Sequence, residues 1–313
     1  MRNRGRKTTL RAAGIGTFCL LLSALPRTAC AAGSSSVFQD VSVGYMASTF
    51  VGWETEEAKN IVRTWTDRFH KSGFPGGTTR IDIFQDVAGM ERAIRERKVD
   101  IISTVSDDFV RLRKRTPLQP ILLSAHSGGV YDQAVVLARR DRGFLQWKDL
   151  RGKQITISGD KVQSIQVTWL ETQLMKEGYR TPGDFFSSVK EVVKPSQAIL
   201  SVFFRQADAC LTTRRSFDLA CELNPQVGKE LAILARSDDM ASGVVSVRTG
   251  YDPKDMENIT EILGSMDRNP SGKQLLQIFR VDHFVPFREE YLETVEAMVK
   301  EHGELRAKPA GRR

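Results

Sequence analysis

Arg80-Ile-Asp-Ile-Phe84, then Val87, Met90 and Ile94, then Val99-Asp-Ile-Ile-Ser103 decide the fold. The first stretch alternates apolar and polar residues, which is the period of a strand. Val87, Met90 and Ile94 recur at helical spacing. The third stretch is again strand-like. A strand, a helix and a strand within two dozen residues form a βαβ unit, whose strands run parallel beneath a helix. Upstream, Val41-Ser-Val-Gly44 reads as a strand opening into the Ser/Thr-rich stretch Met46-Ala-Ser-Thr-Phe50. Ala58, Ile61, Val62, Trp65 and Phe69 then keep one apolar helical face.

Downstream the alternation repeats. Val130 to Ala138 is strand-like and ends in the charged run Arg139-Arg-Asp-Arg142. Gln154-Ile-Thr-Ile157 predicts a strand, about Val162 to Lys176 a helix, Val189 to Val193 a strand, Ser196 to Gln206 a helix, and Ala207-Asp-Ala-Cys-Leu211 a strand. Val244-Val-Ser-Val247 reads as a strand returning to the first unit. Amphipathic helices follow, marked by Met256, Ile259, Leu263 and Met266, and by Tyr291, Leu292, Val295 and Val299. The fold class is α/β with two lobes, a size that one chain of 313 residues supports.

The N-terminus carries Arg2, Arg4, Arg6, Lys7 and Arg11, an apolar run from Ala12 to Leu25, Pro26, and then Ala29-Cys30-Ala31. This is the order of a secretory signal covering residues 1–31. The apolar run is shorter than the roughly 20 residues of a membrane span. The chain's net charge is +8, and the six basic residues of 1–31, unopposed by any acid, leave +2 for the rest. Arg306, Lys308, Arg312 and Arg313 supply the remaining excess from a segment, residues 304–313, expected to be a disordered basic tail. Charge held at the two ends gives no basic face for nucleic acid. Of four cysteines, Cys210 and Cys221 lie beyond the signal, and in an oxidising compartment the pair is expected to form a disulfide.

Enzyme motifs are absent: there is no GxSxG, P-loop, HExxH or strand-borne GxGxxG. The four histidines are scattered, so neither a metal nor a cofactor is expected. The chemistry concentrates at strand-to-helix junctions. Ser48 and Thr49 follow the first strand, Ser106 and Phe109 the third, and Gln163 and Ser164 the strand at 154–157. Lys194 and Ser196 open the next helix, and Arg214 follows the strand ending at Leu211, with the adjacent Arg215 as the alternative inward residue. Ligands of open α/β sheets bind beyond the carboxyl ends of the strands, and free N–H groups at helix starts favour anions.

Asp149-Leu-Arg-Gly-Lys153, followed by strand, polar loop and a helix ending in Lys176-Glu-Gly178, resembles the periplasmic solute-binding proteins of phosphate, phosphite and phosphonate ABC transporters. Val99-Asp-Ile-Ile102, Ser196–Arg205 with Ala207-Asp-Ala209, Leu234–Asp238 with Val244–Arg248, Asn269-Pro-Ser-Gly-Lys273 and His283-Phe-Val-Pro286 agree in order. The resemblance spans roughly residues 40–290. It implies a type II periplasmic binding protein, with lobe one at 37–137 and 240–303 and lobe two at 138–239. Two segments would cross near Val136–Arg142 and Arg236–Val244. It also implies a monomer that is not an enzyme, resides in the periplasm, and delivers a small ligand to an inner-membrane ABC permease. A sensory protein docking on a membrane receptor is the alternative, and an enzyme on the same fold a further one. The pocket departs from the family pattern. Val105-Ser106 and Phe109 replace its Gly-Pro and Tyr, Gln163-Ser-Ile-Gln166 its Ser-Thr-Ser-Gly loop, and Pro195-Ser196 its His-Asp. Thr213-Arg214 stands where an amine-sensing acid is usual, which together with Lys194 implies an anionic ligand.

If residues 1–31 are a cleaved signal, Edman sequencing of periplasmic material finds an N-terminus near Ala32. A retained Met1 in a cytosolic fraction overturns the export reading.

Overall fold

The computed structural model describes residues 41–50, 56–57, 59–64, 79–158 and 164–308. The expected signal segment and Gln163 lie outside them. Strand β1 (Ser42–Met46) enters a short 3-10 turn, Ala47–Thr49. Residues 59–64 are helical. Strands β2 (Arg80–Phe84) and β3 (Ile101–Val105) both pair with β1 in parallel, which is the βαβ arrangement read from the sequence. The helix between them, Val87–Arg95, is capped by Asp86, whose carboxylate accepts from the Gly89 N–H at 2.7 Å. The helix Ser106–Arg113 follows β3, and β4 (Leu118–Ala125) comes next.

The chain then leaves this sheet through the two-residue strand β5 (Tyr131–Asp132). A second sheet contains β6 (Ala134–Arg139), β7 (Gln154–Ser158), β8 (Ser188–Val192), β9 (Ala209–Thr213) and β10 (Leu231–Arg236), in the order β10-β6-β9-β7-β8. Its β7, β8 and β9 run parallel and are followed by the helices Ile165–Lys176, Pro195–Phe203 and Arg214–Leu223. Strand β11 (Met240–Ala241) pairs antiparallel with β5 as the chain returns. Then β12 (Gly243–Arg248) inserts between β3 and β4, and β13 (His283–Pro286) closes the first sheet, giving β13-β4-β12-β3-β1-β2. No helix among the described residues is long and apolar enough to cross a membrane.

Three expectations need correction. The first crossing does not lie at 136–142. Strand β6 is buried along its whole length and pairs with β9 and β10, so the chain has already joined the second sheet at Ala134. The segment expected to be a disordered tail is helical at its start, because the last helix runs Glu293–Ala307. Arg180 holds that end, donating to the carbonyls of Lys308 and Arg306 at 2.7 and 3.1 Å. Cys210 and Cys221 are free thiols. Cys210 is sealed in an apolar cluster with Val135, Leu137, Ala198 and Phe217, and burial pushes its thiol pKa up. The Cys221 sulfur instead faces Gly228 of the neighbouring helix, where a Cβ would meet it at 3.2 Å.

The lobes share one apolar cluster behind the β5–β11 ribbon. It joins Phe109 and Val110 of the first lobe to Trp169, Leu170 and Leu174 of the second through Val295 and Val299 of the last helix. His302 and Glu171 meet at 2.9 Å along that seam. A buried polar network reinforces it. Arg111 reaches Asp107 at 2.7 Å and Asp108 at 3.4 Å. It also donates to Thr168 of the second lobe at 2.9 Å, while the Thr168 hydroxyl donates to Asp107 at 3.0 Å. Asp108 in turn accepts from the Ser48 hydroxyl at 2.7 Å.

Burial, and then the adjacent Asp107 charge, push the Asp108 carboxyl up from 3.8 to about 7. The folded protein therefore keeps a proton that the unfolded chain releases near pH 4. This contribution to stability is complete below pH 4, is lost as pH rises through about 7, and is flat above. In Asp108→Asn that decline disappears. Urea unfolding at pH 5 and pH 8 measures it, and equal pH dependence in both proteins refutes the assignment.

Candidate functional site

A cavity of about 790 Å³ opens between the lobes. Its first-lobe wall comes from the carboxyl ends of β1, β3 and β4 and from the start of β12. Ser48 and Thr49 sit on the 3-10 turn after β1, with the Thr49 hydroxyl donating to the Met46 carbonyl at 2.6 Å. Thr104 and Val105 end β3, Ser124 ends β4, and His126 follows. Gly243 fits where it does because a Cβ there would come within 2.8 Å of the Ser124 hydroxyl.

The second-lobe wall comes from the parallel strands β7, β8 and β9, whose carboxyl ends point the same way. Ser158 ends β7, and its hydroxyl donates to the Leu211 carbonyl at 3.0 Å. Ser164 caps the helix Ile165–Lys176, accepting from the Val167 N–H at 3.4 Å. Lys194, Pro195 and Ser196 form the start of Pro195–Phe203, where proline suits the first turn because its missing N–H is one that the helix leaves unpaired. Thr213 caps Arg214–Leu223, accepting from the Ser216 N–H at 3.1 Å. Three helix N-termini thus open on one cavity, each presenting the positive end of its dipole, while the first N–H groups of Arg214–Leu223 are already taken by Gln133, Asp132 and Thr213.

The cavity brings together Ser48, Thr49, Ser164, Lys194 and Ser196 of the residues singled out in the sequence. Three others go elsewhere. Ser106 is fully buried, and its hydroxyl donates to the Ala241 carbonyl at 2.5 Å while its N–H donates to Ser242 at 2.9 Å, so it pins the returning ribbon. Phe109, three residues along the same helix, faces the core, with Phe287 at 6.2 Å. Arg214 turns to Asp218 at 2.8 Å, and its side chain is 43% exposed. Successive helical residues point about 100° apart. Arg215 is the one that lines the cavity, bonding the Tyr131 carbonyl at 3.4 Å, with its backbone N–H on Asp132 at 3.2 Å.

Sequence reasoning also missed His126, Asp132, Arg280 and Asp282, which line the same space. None opens a helix after a strand, so the junction rule could not find them. The cavity acids are engaged by backbone: Asp132 accepts from the Gln133 and Arg215 N–H groups, and Asp282 from the Ser127 N–H at 2.7 Å. His126 is buried, and burial with the nearby Arg215 charge lowers its pKa to about 4, so it is neutral near pH 7. Lys194 and Arg280 have no acid within ion-pair distance among the described residues. The arrangement can stabilise negative charge, through three cations and three helix starts.

The fold has counterparts in solved structures. XAC2383 from Xanthomonas citri, bound to ATP, is 16% identical with a TM-score of 0.61, covering 85% of this chain and 98% of that one. PhnD1 from Prochlorococcus marinus, in complex with methylphosphonate, is 12% identical with a TM-score of 0.59, covering 85% of this chain and 98% of that one. A binding-protein component of an ABC phosphonate transporter from Pseudomonas aeruginosa is 13% identical with a TM-score of 0.55, covering 86% of this chain and 95% of that one. At such identities the likeness is one of fold. No curated protein matches the chain. Residues 56–292 match the family described as the ABC-transporter phosphonate periplasmic substrate-binding protein, and the chain belongs to that family.

Proposed function

We propose that this protein is exported through its N-terminal signal and captures a small anionic ligand of the phosphonate, phosphate or related oxyanion class. It acts as a monomer and hands the ligand to an ABC permease in the inner membrane. The observation that carries the reading is the charge arrangement of the cavity. Lys194, Arg215 and Arg280 face a space whose acids already accept backbone N–H bonds. Three helix N-termini add the positive ends of their dipoles without adding mobile charge. The lobes are joined by the short β5–β11 ribbon, so closure of one lobe on the other is a hinge motion.

The reading is of capture without turnover. Among the described residues no cavity hydroxyl is hydrogen-bonded to His126, the ring that a serine nucleophile would use as its base. Asp107 and Asp108, the acids nearest the Ser48 turn, are committed to Arg111, Thr168 and Ser48.

Methylphosphonate, which the Prochlorococcus protein holds, is the first probe. At 100 times its dissociation constant a ligand stabilises its receptor by about 2.7 kcal/mol, well within reach of a thermal-shift assay. Arg215→Ala and Lys194→Ala remove charge-assisted contacts and are expected to weaken calorimetric affinity roughly ten- to a hundredfold each. Arg214→Ala, whose guanidinium pairs with Asp218, is expected to bind as the parent does. Unchanged affinity in both cavity variants refutes the anion site.

A further inference from the structure

The interlobe cavity does not end at its polar walls. It continues along one face of the first sheet, beneath the helices Pro253–Gly264 and Pro270–Ile278. Register identifies that face. Val43 pairs with Ile101, and Tyr45 pairs with Ser103, across β1 and β3. Val245 stands opposite Ser103, and Gly243 opposite Val105, across β12 and β3. Paired residues share a face and alternate ones along a strand return to it, so Val43, Tyr45, Ile101, Ser103, Val105 and Val245 form one floor. All of them line the cavity. The roof is Leu263, Met266, Leu275, Phe279 and Phe284.

The two faces of this sheet differ. On the opposite face Ile102 is 0% exposed, Thr104 1% and Met46 2%, closed over by Met90, Ala93, Ile94 and Leu112. On the channel face Val43, Tyr45, Ser103 and Val105 are only half-buried, although they lie under two helices. The roof residues Leu263, Leu275, Phe279 and Phe284 are likewise half-buried. Floor and roof touch in places: Ile101 and Val245 are buried and cluster with Val43, Leu263 and Phe284, and Tyr45 stacks on Phe279 with ring centroids 5.3 Å apart. The face is therefore an apolar layer that lines the cavity and is packed less tightly than the opposite one, which a tail enters by parting these side chains. From Val105 at the cleft to Ile101 is four residues of strand, roughly 13 Å. The mouth of the space is where Ser124, Arg280 and the Ser48–Thr49 turn stand.

We propose that this channel receives the apolar tail of a ligand whose anionic head lies in the cleft, so that the ligand is an amphiphilic anion, a phosphonate or phosphate ester carrying an unbranched alkyl group of octyl length. The proposal rests on the anion reading above. A methyl group would not reach this apolar layer, while an octyl chain spans its length. Methylene groups moved from water into an apolar space contribute about fourfold each in affinity when fully buried. The gain stops once the tail reaches Val43 and Ile101.

Calorimetry with methyl-, butyl-, octyl- and dodecylphosphonate, each below its micellar concentration, tests this. Affinity is expected to rise by up to about fourfold per methylene from methyl to octyl and to level off at dodecyl. Ser103→Phe places a ring in mid-channel. It is expected to bring octylphosphonate down to the affinity of methylphosphonate while leaving methylphosphonate unchanged, and retained methylphosphonate binding shows that the variant is folded. The parent series decides the matter whether or not that variant folds. Measurable methylphosphonate binding with a flat series overturns the channel and leaves the anion site standing. Binding of no member of the series overturns the anion site and, with it, the channel proposal.

Discussion

The return of β12 to the middle of the first sheet is the constraint on which the rest of the structure depends. This strand hydrogen-bonds β3 on one side and β4 on the other, so the first lobe cannot be completed until the chain has gone out, built the second lobe and come back. Two crossings follow of necessity, and their pairing as β5 and β11 makes them a ribbon. Ser106 fixes the returning strand of that ribbon to the start of a first-lobe helix through both its hydroxyl and its N–H. At the far end of the sheet Asp100 gathers Ser42 and Arg248, accepting from the Ser42 hydroxyl at 2.6 Å and from Arg248 at 2.8 Å. The returning strand is thereby held at both ends.

That routing also settles where charge is recognised. Parallel strands bring their carboxyl ends to one edge, and each next helix starts there. In the second lobe three such starts meet the cavity, while the first lobe contributes hydroxyls, a neutral histidine and Arg280. Beside these starts the second lobe supplies the cations Lys194 and Arg215. The first supplies side chains, including the half-buried apolar floor. Behind the ribbon the last helix packs on both lobes, and the network of Asp107, Arg111 and Thr168 bridges them on the same side.

Much of the fold was legible because the βαβ units announce themselves by a change of period. Arg80–Phe84 and Gln154–Ile157 were read almost to the residue, and the helix beginning at Ser164 was read within a few residues. Strand β4 was not read at all. Leu118–Ala125 contains Pro120 and an unbroken apolar run, and a strand buried on both faces has no alternation to see. At the site, the junction rule found Ser48, Thr49, Ser164, Lys194 and Ser196 because each follows a strand end. It chose Arg214 over Arg215 because one helical step of rotation is invisible without the backbone. It took Ser106 for a ligand group because a serine at a helix start looks the same whether it faces a cleft or a returning strand. The cysteine pair was joined on compartment alone, yet the sulfur on β9 is sealed in an apolar cluster and the other faces Gly228.

The second lobe begins at β6 and ends at β10, and these strands are hydrogen-bonded neighbours, with Arg236, where the chain leaves, opposite Val135, next to where it enters. Its entry and exit therefore lie about one strand spacing apart, near 4.8 Å. A body of some hundred residues whose chain enters and leaves at one point is a cassette, held otherwise by its packing on the last helix. It can be exchanged or altered without rerouting the sheet that carries it, as inserted domains with adjacent ends are tolerated in general. The helix starts that meet a ligand's charge and the apolar floor beneath them belong to separately variable pieces of chain, so selectivity for head and for body can drift independently in descendants of one scaffold.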